Sequence, residues 1–136
     1  MLPEKIYLID FDNTLVEAWI EAFAGDKIFQ PICGDYFSVP ADGIVSPANS
    51  FGFMDGGLDL AIRNVLGFEV ENRIKKEIVT KYHGELPIGS ALVIPTSHEK
   101  WPFMISAPTM RLPQDVSNTL NAYLAFRAIL LAIKDL

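Results

Sequence analysis

The stretch DGIVSPANSFGFMDGGLDLAI, residues 42–62, gathers the groups best suited to chemistry. It leaves an apolar run, crosses a polar loop containing Gly52, Gly56 and Gly57, and enters a helical pattern at Leu58. Glycines at such places let the backbone take positive φ or approach a ligand closely, and the first N–H groups of a helix carry partial positive charge. A turn of this kind holds phosphate or pyrophosphate with no lysine nearby. Asn49, Asp55 and Asp59 flank it, supplying an amide and two carboxylates able to orient a sugar or position a water. Plainer readings stand beside these. The glycines serve equally to connect strand to helix. Asp59 in a first helical turn stabilises that helix by about 0.3–1 kcal/mol. Asn49 suits an Asx-turn.

A second constellation lies near the start. Asp10-Phe11-Asp12-Asn13-Thr14-Leu15 follows the apolar run IYLI. It resembles the opening motif of haloacid-dehalogenase-type phosphatases, in which a strand end presents a nucleophilic aspartate, a second aspartate acts as acid or base, and magnesium screens the phosphate. That resemblance implies a magnesium-dependent phosphatase using Asp10 and Asp12. The acidic pair, downstream Ser/Thr strand end and supported lysine such enzymes need have no convincing counterpart here, and Lys100 sits in a loop. A strand end followed by a helix cap, with Asn13 or Thr14 accepting from backbone N–H groups, accounts for the same residues.

The totals narrow the classes. With 136 residues, half of them hydrophobic, the chain suits one core, and residues 1–136 are expected to form a single domain. A formal charge of −6 argues against electrostatic capture of nucleic acid or of an anionic membrane. An anionic ligand would therefore depend on local donors. The lone Cys33 has no partner for a disulfide and no Cys/His grouping for a metal, and His83 and His98 lie far apart in sequence. No metal or cofactor is expected. No signal peptide or membrane span is read, and the cytoplasm is the expected location.

The positioning elements alternate between strand and helix. Residues 6–10 read as a buried strand, and Thr14 with Glu17 as a capping box for a helix over 15–23 that carries Trp19 among Leu15, Ala18, Ala22 and Phe23. A second strand is expected within 28–36 and a third over 43–46, stopped by Pro47. Helices follow over 58–66 and along the Val70, Ile74, Ile78, Tyr82 stripe. Strands are expected over 91–95 and 103–107, with Trp101-Pro102 leading into the latter, and a long helix over 118–134 with Leu120, Leu124 and Leu131 on one side. Alternation implies a largely parallel sheet with helices on both faces, and ligands in such sheets collect at the carboxyl ends of strands. The loops SPANS, TSHEK and APTM each follow an expected strand and are expected to share that rim.

Gly34-Asp35, then Asp42-Gly43-Ile44-Val45-Ser46-Pro47-Ala48-Asn49-Ser50, then Asp55-Gly56-Gly57-Leu58-Asp59, together resemble the macro-domain pattern. The run Gly84-Glu85-Leu86-Pro87-Ile88-Gly89-Ser90-Ala91 and the strand end Ala107-Pro108-Thr109 extend the resemblance. More narrowly, SPANSFGFMDGGLD is similar to a bacterial and phage branch of macro-domain-like proteins. The resemblance implies an α/β class, a three-layer α/β/α fold with a mixed, largely parallel sheet. It implies binding of ADP-ribose or a related nucleotide. Asp35 would accept from the adenine amino group, Asn49 would orient the distal ribose, and the backbone of Gly56, Gly57 and Leu58 would hold the diphosphate. Ser50, Phe51, Gly52 and Thr109 fall at ligand-lining positions. Phe51 or Phe53 would cover the adenine or ribose, or else anchor the loop on the core. Some macro domains hydrolyse ADP-ribosyl linkages, which would give Asp59, or else Asp55, a role on water, with Asn49 holding the sugar. The sequence departs from the family at Ser46-Pro47-Ala48-Asn49, where only the last asparagine of the usual NAAN carries over. The family's last strand and second glycine-rich loop have no counterpart within these residues. That leaves room for a homodimer or a partner chain to complete the sheet, and for a non-enzymatic interaction protein that keeps only the fold.

Overall fold

The computed structural model describes residues 3–136 and is a mixed α/β protein of four helices and two sheets. The chain falls into two compact units, Met1–Pro40 and Ala41–Leu136. Among the described residues no helix is long and apolar enough to cross a membrane.

The first unit is a β-α-β element. Strand β1 (Ile6–Asp10) pairs in parallel with β2 (Phe29–Cys33), and α1 (Asn13–Ala22) connects them, as a parallel pair requires. The expected cap shifts by two residues. Asp12, not Thr14, caps α1, its carboxylate accepting from the Thr14 N–H at 3.0 Å, while the Asn13 side chain donates to Glu17. An aspartate outranks a threonine as a cap, and it stands at the position from which its oxygen reaches the second N–H ahead. Val16 is the buried residue of α1; Trp19 is half-buried, and Leu15, Ala18 and Ala22 face outward, so the expected apolar side is turned by about one residue.

The second unit carries β3 (Gly43–Asn49), α2 (Gly57–Leu66), α3 (Glu69–Tyr82), β4 (Leu92–Pro95), β5 (Phe103–Met110) and α4 (Asn121–Lys134). Its sheet has the order β3-β5-β4, with β3 parallel and β4 antiparallel to β5. The central β5 is buried from Met104 through Pro108, the unbroken run of a strand covered on both faces. Helix α2 packs on β3, α3 on β4 and α4 on β5. The α3 stripe lies inward as expected at Val70, Ile74 and Ile78.

Three expectations are corrected here. Pro47 does not stop β3, which runs on to Asn49 opposite Met110; β3 is an edge of its sheet, so a residue without an N–H breaks no inner ladder. The TSHEK loop does not share a rim with the other two. Pro95 pairs with Phe103 across an antiparallel connection, so residues 96–102 turn at the opposite end of the sheet from Asn49 and Met110. So short a link cannot make a parallel crossover. On α4 the buried residues are Ala125 and Ala128, while Leu120 and Leu131 are exposed. Small side chains let that helix lie close to β5, and the leucine stripe is displaced from the sheet.

One close approach sets the start of β3. Gly43 pairs with Phe103, and a Cβ on Gly43 would lie 2.1 Å from the phenyl ring. Replacement of Gly43 by alanine should therefore destabilise the protein by about 1–3 kcal/mol through overpacking. Denaturant unfolding of Gly43→Ala with and without Phe103→Leu tests this: the second change should restore most of the loss, and purely additive effects would refute the contact as the cause.

Candidate functional site

The ends of β3 and β5 stand side by side, and a bulge between Ala48 and Asn49 shifts the register there so that Asn49 faces Met110. Beyond it the chain turns into the glycine loop. The Asn49 side chain organises that loop: its oxygen accepts from the N–H groups of Phe51 (3.0 Å) and Phe53 (3.2 Å), and its nitrogen donates to the Phe53 carbonyl (2.8 Å). The Asx-turn reading is thereby present in full. Ser50 is buried, with its N–H bonded to the carbonyl groups of Met110 and Arg111 and its own carbonyl accepting from Leu86. The Thr109 carbonyl accepts from the Asn121 side chain, which ties the end of β5 to the start of α4.

Gly52 is required by space as well as by its φ of 78°, because a Cβ there would meet Ile74 at 2.7 Å and Ile78 at 3.0 Å. The loop thus lies directly on α3. The flanking rings of Phe51 and Phe53 are 6.4 Å apart, with Arg111 over the first and Lys75 over the second. Gly56 and Gly57 differ from Gly52. They are exposed, and a Cβ on either would meet nothing within 4 Å. Gly56 is the cap residue of α2 and offers no side chain, so the first N–H groups of the helix, including that of Leu58, have no side-chain cap. Asp55, just before, is exposed.

Asp59 is placed differently from what a free catalytic acid would need. It is only 6% exposed, in the first turn of α2, where its carboxylate accepts from the Ser46 hydroxyl inside β3. Asp35 belongs to the first unit, where its carboxylate accepts from the Phe37 N–H at 2.9 Å. Asp10 and Asp12 also sit there, the former accepting from the Asp12 N–H and the latter capping α1. The helix-cap reading of that motif is what the geometry supports.

A family model described as a macro-like domain matches residues 1–123, running across both units. The chain belongs to the macro-like domain family. An uncharacterised protein of Aquifex aeolicus is 38% identical over 97 residues, covering 71% of this chain and 55% of that protein. This macro-like domain spans about half the length of the curated relatives it matches. Among solved structures, the Oceanobacillus iheyensis macrodomain with ADP is 24% identical with a TM-score of 0.62, over 75% of this chain and 55% of that one. A single-residue variant of the same macrodomain with ADPR is 17% identical with a TM-score of 0.62, over 99% of this chain and 62% of that one. At these identities the likeness is one of fold.

Several groups of this macro-like domain escaped sequence reasoning: Ser46, Arg63, Glu71, Lys75, Glu85 and Arg111. Glu71 accepts from the Met54 N–H at 2.5 Å and from Arg63 at 3.0 Å, with Lys75 at 3.8 Å. Burial alone would raise its pKa, but those bonds and charges outweigh it and hold the carboxyl below its ordinary value. Arg111 pairs with Glu85 at 2.6 Å. The only signal in the sequence was the i, i+4 spacing of Glu71 and Lys75.

Burial pushes the Asp59 carboxyl up to about 6; the Ser46 bond opposes this, and the charges of Asp55 and Glu71 add to it. The folded state therefore binds the proton more tightly than the unfolded state does. Stability linked to Asp59 is fully present below the ordinary carboxylate pKa near 4 and is lost as pH rises through about 6, a change on the order of 3 kcal/mol. Asp59→Asn keeps an acceptor for Ser46 and carries no charge. Urea denaturation across pH 4 to 8 should show this component of the pH dependence removed in the variant, with stability at pH 8 raised by about 1–2 kcal/mol. A variant as pH-dependent as the parent would refute the assignment.

Proposed function

We propose that this macro-like domain binds ADP-ribose or a related nucleotide, with the diphosphate at the start of α2. The observation that carries the reading is the uncapped helix terminus at Gly56 and Gly57, exposed and with open space where side chains would stand. Backbone N–H groups at a helix start suit an anion, and they allow an acidic chain to bind one. Family membership supports the same ligand class, since a macrodomain of this fold has been solved with ADP and, as a variant, with ADPR. Phe51 and Phe53, held by Asn49 beside this terminus in the chain, are the candidate surfaces for ribose or base.

The reading commits to binding. Hydrolysis of an ADP-ribosyl linkage would require Asp59 to leave Ser46, or the exposed Asp55 to hold a water, and the Asn49 amide is already bonded to its own loop. Both carboxylates stay candidates for that further step. Gly56 provides a clean probe, because its φ of −154° is open to any residue and a side chain would project into free space. Calorimetric titration with ADP-ribose, with AMP and inorganic phosphate as controls, should give saturable binding that Gly56→Val weakens at least tenfold while the thermal midpoint moves by only a few degrees. No heat up to millimolar ADP-ribose would overturn the proposal.

A further inference from the structure

We infer that Glu71 is a positioning residue for the N–H groups that open α2, acting through the backbone of Met54. Its effect on affinity rests on the binding reading above; its effect on the loop does not.

The run 55–57 is exposed and holds two of the loop's glycines. Two adjacent glycines have the widest choice of φ and ψ, and ordering them costs more backbone entropy than ordering any other pair. Neither Gly56 nor Gly57 has a side chain to pack, and α2 has no side-chain cap. The helix holds this run from one side, the Gly56 carbonyl accepting from the Leu60 N–H at 3.2 Å, and the hold from the other side comes from the residues that enter it. Met54 is the last of them to be anchored: its side chain is buried at 2% exposure and its N–H donates to a Glu71 oxygen.

Glu71 is itself held on its other side. Its second oxygen accepts from Arg63, which lies in the last turn of α2, and Lys75 stands one helical turn further along α3. One carboxylate on α3 thus ties the segment that enters α2 and the turn that leaves it. Lys75 continues the pattern by covering the ring of Phe53, so neighbouring loop residues are gripped by successive turns of one helix. Glu71 has side-chain exposure of 12% with both oxygens engaged, so a ligand anion would meet the positioned backbone and not this carboxylate.

The test uses the whole chain and two readouts. ADP-ribose affinity is measured by calorimetry at a temperature where every variant is folded by circular dichroism, and backbone order parameters from amide NMR relaxation are followed at residues 54–58 and along β5. Glu71→Gln keeps an acceptor for the Met54 N–H and should stay within threefold of the parent in affinity. Glu71→Ala should lose at least tenfold and lower the order parameters at residues 54–58 while β5 stays rigid. If the alanine variant does not fold, Glu71→Asp, which withdraws the oxygens by one methylene, should show the same two changes in smaller measure. Unchanged order parameters at residues 54–58 overturn the inference. So does a loss of order spread evenly over 54–58 and β5, which marks a general loosening. If the parent itself binds no ADP-ribose, the binding proposal falls and the order parameters alone decide whether Glu71 positions the loop.

Discussion

Parallel pairing of β3 with β5 is the constraint on which the second unit depends. Two parallel neighbours cannot be joined by a hairpin, so the chain leaving Asn49 must travel back to the other end of the sheet before Phe103 begins. Everything between them is that return path: the glycine loop, α2, α3 and β4. The same geometry brings the carboxyl ends of β3 and β5 together, where Ser50 bonds to the carbonyl groups of Met110 and Arg111. The loop that could receive a ligand therefore starts at the carboxyl ends of the strands, as ligand loops of α/β sheets generally do.

The polar residues Asn49, Ser50 and Ser46 hold the loop and each has a partner, whereas the buried Nε of Arg63 has none. Asn49 closes three bonds onto its own loop, Ser50 joins three segments through its backbone, and Ser46 donates to Asp59. Buried polar groups left unpaired would be costly, whereas a satisfied network fixes one arrangement. Asp59 is the exception in energy, since its bond to Ser46 does not offset the burial of its charge. A carboxylate kept at such a place contributes less to stability near neutral pH than a neutral side chain would.

How legible this was in the sequence depended on whether a signal was local. The α3 stripe could be read because spacing alone places those side chains, and the strand at Ile6 from its apolar run, although its residues are half-buried where burial was expected. The glycine loop was legible for the same reason, as backbone freedom is a property of residue type. Pro47 misled because its cost depends on whether its strand has a neighbour on the N–H side, which only the sheet order tells. The α4 leucines misled because Ala125 and Ala128 allow a closer approach to β5 than larger residues would, and small size is not scored by a search for apolar periodicity. The TSHEK loop was placed on the wrong rim because strand direction is decided by a pairing, not by a strand's own residues. Glu71 and Ser46 were invisible for a like reason: their partners lie 17 and 13 residues away and meet only once the helices cross the sheet.

A chain with a formal charge of −6 faces a specific difficulty in holding an anion, and on the proposed reading most of the carboxylates near α2 are paired or withdrawn, Asp55 excepted. Glu71 is offset by Arg63 and Lys75, and Glu85 by Arg111. Asp59, with its carboxyl pushed up to about 6 and turned to Ser46, is withdrawn from the surface. What remains exposed at the start of α2 is Asp55, Gly56 and Gly57, with no side-chain cap on the first N–H groups of the helix. Donors of that kind carry fixed partial charges that need no side-chain ordering, so their strength depends on direction more than on net charge. On the proposed reading, recognition then rests on geometry more than on cations, and hence on the residues that keep the loop in place.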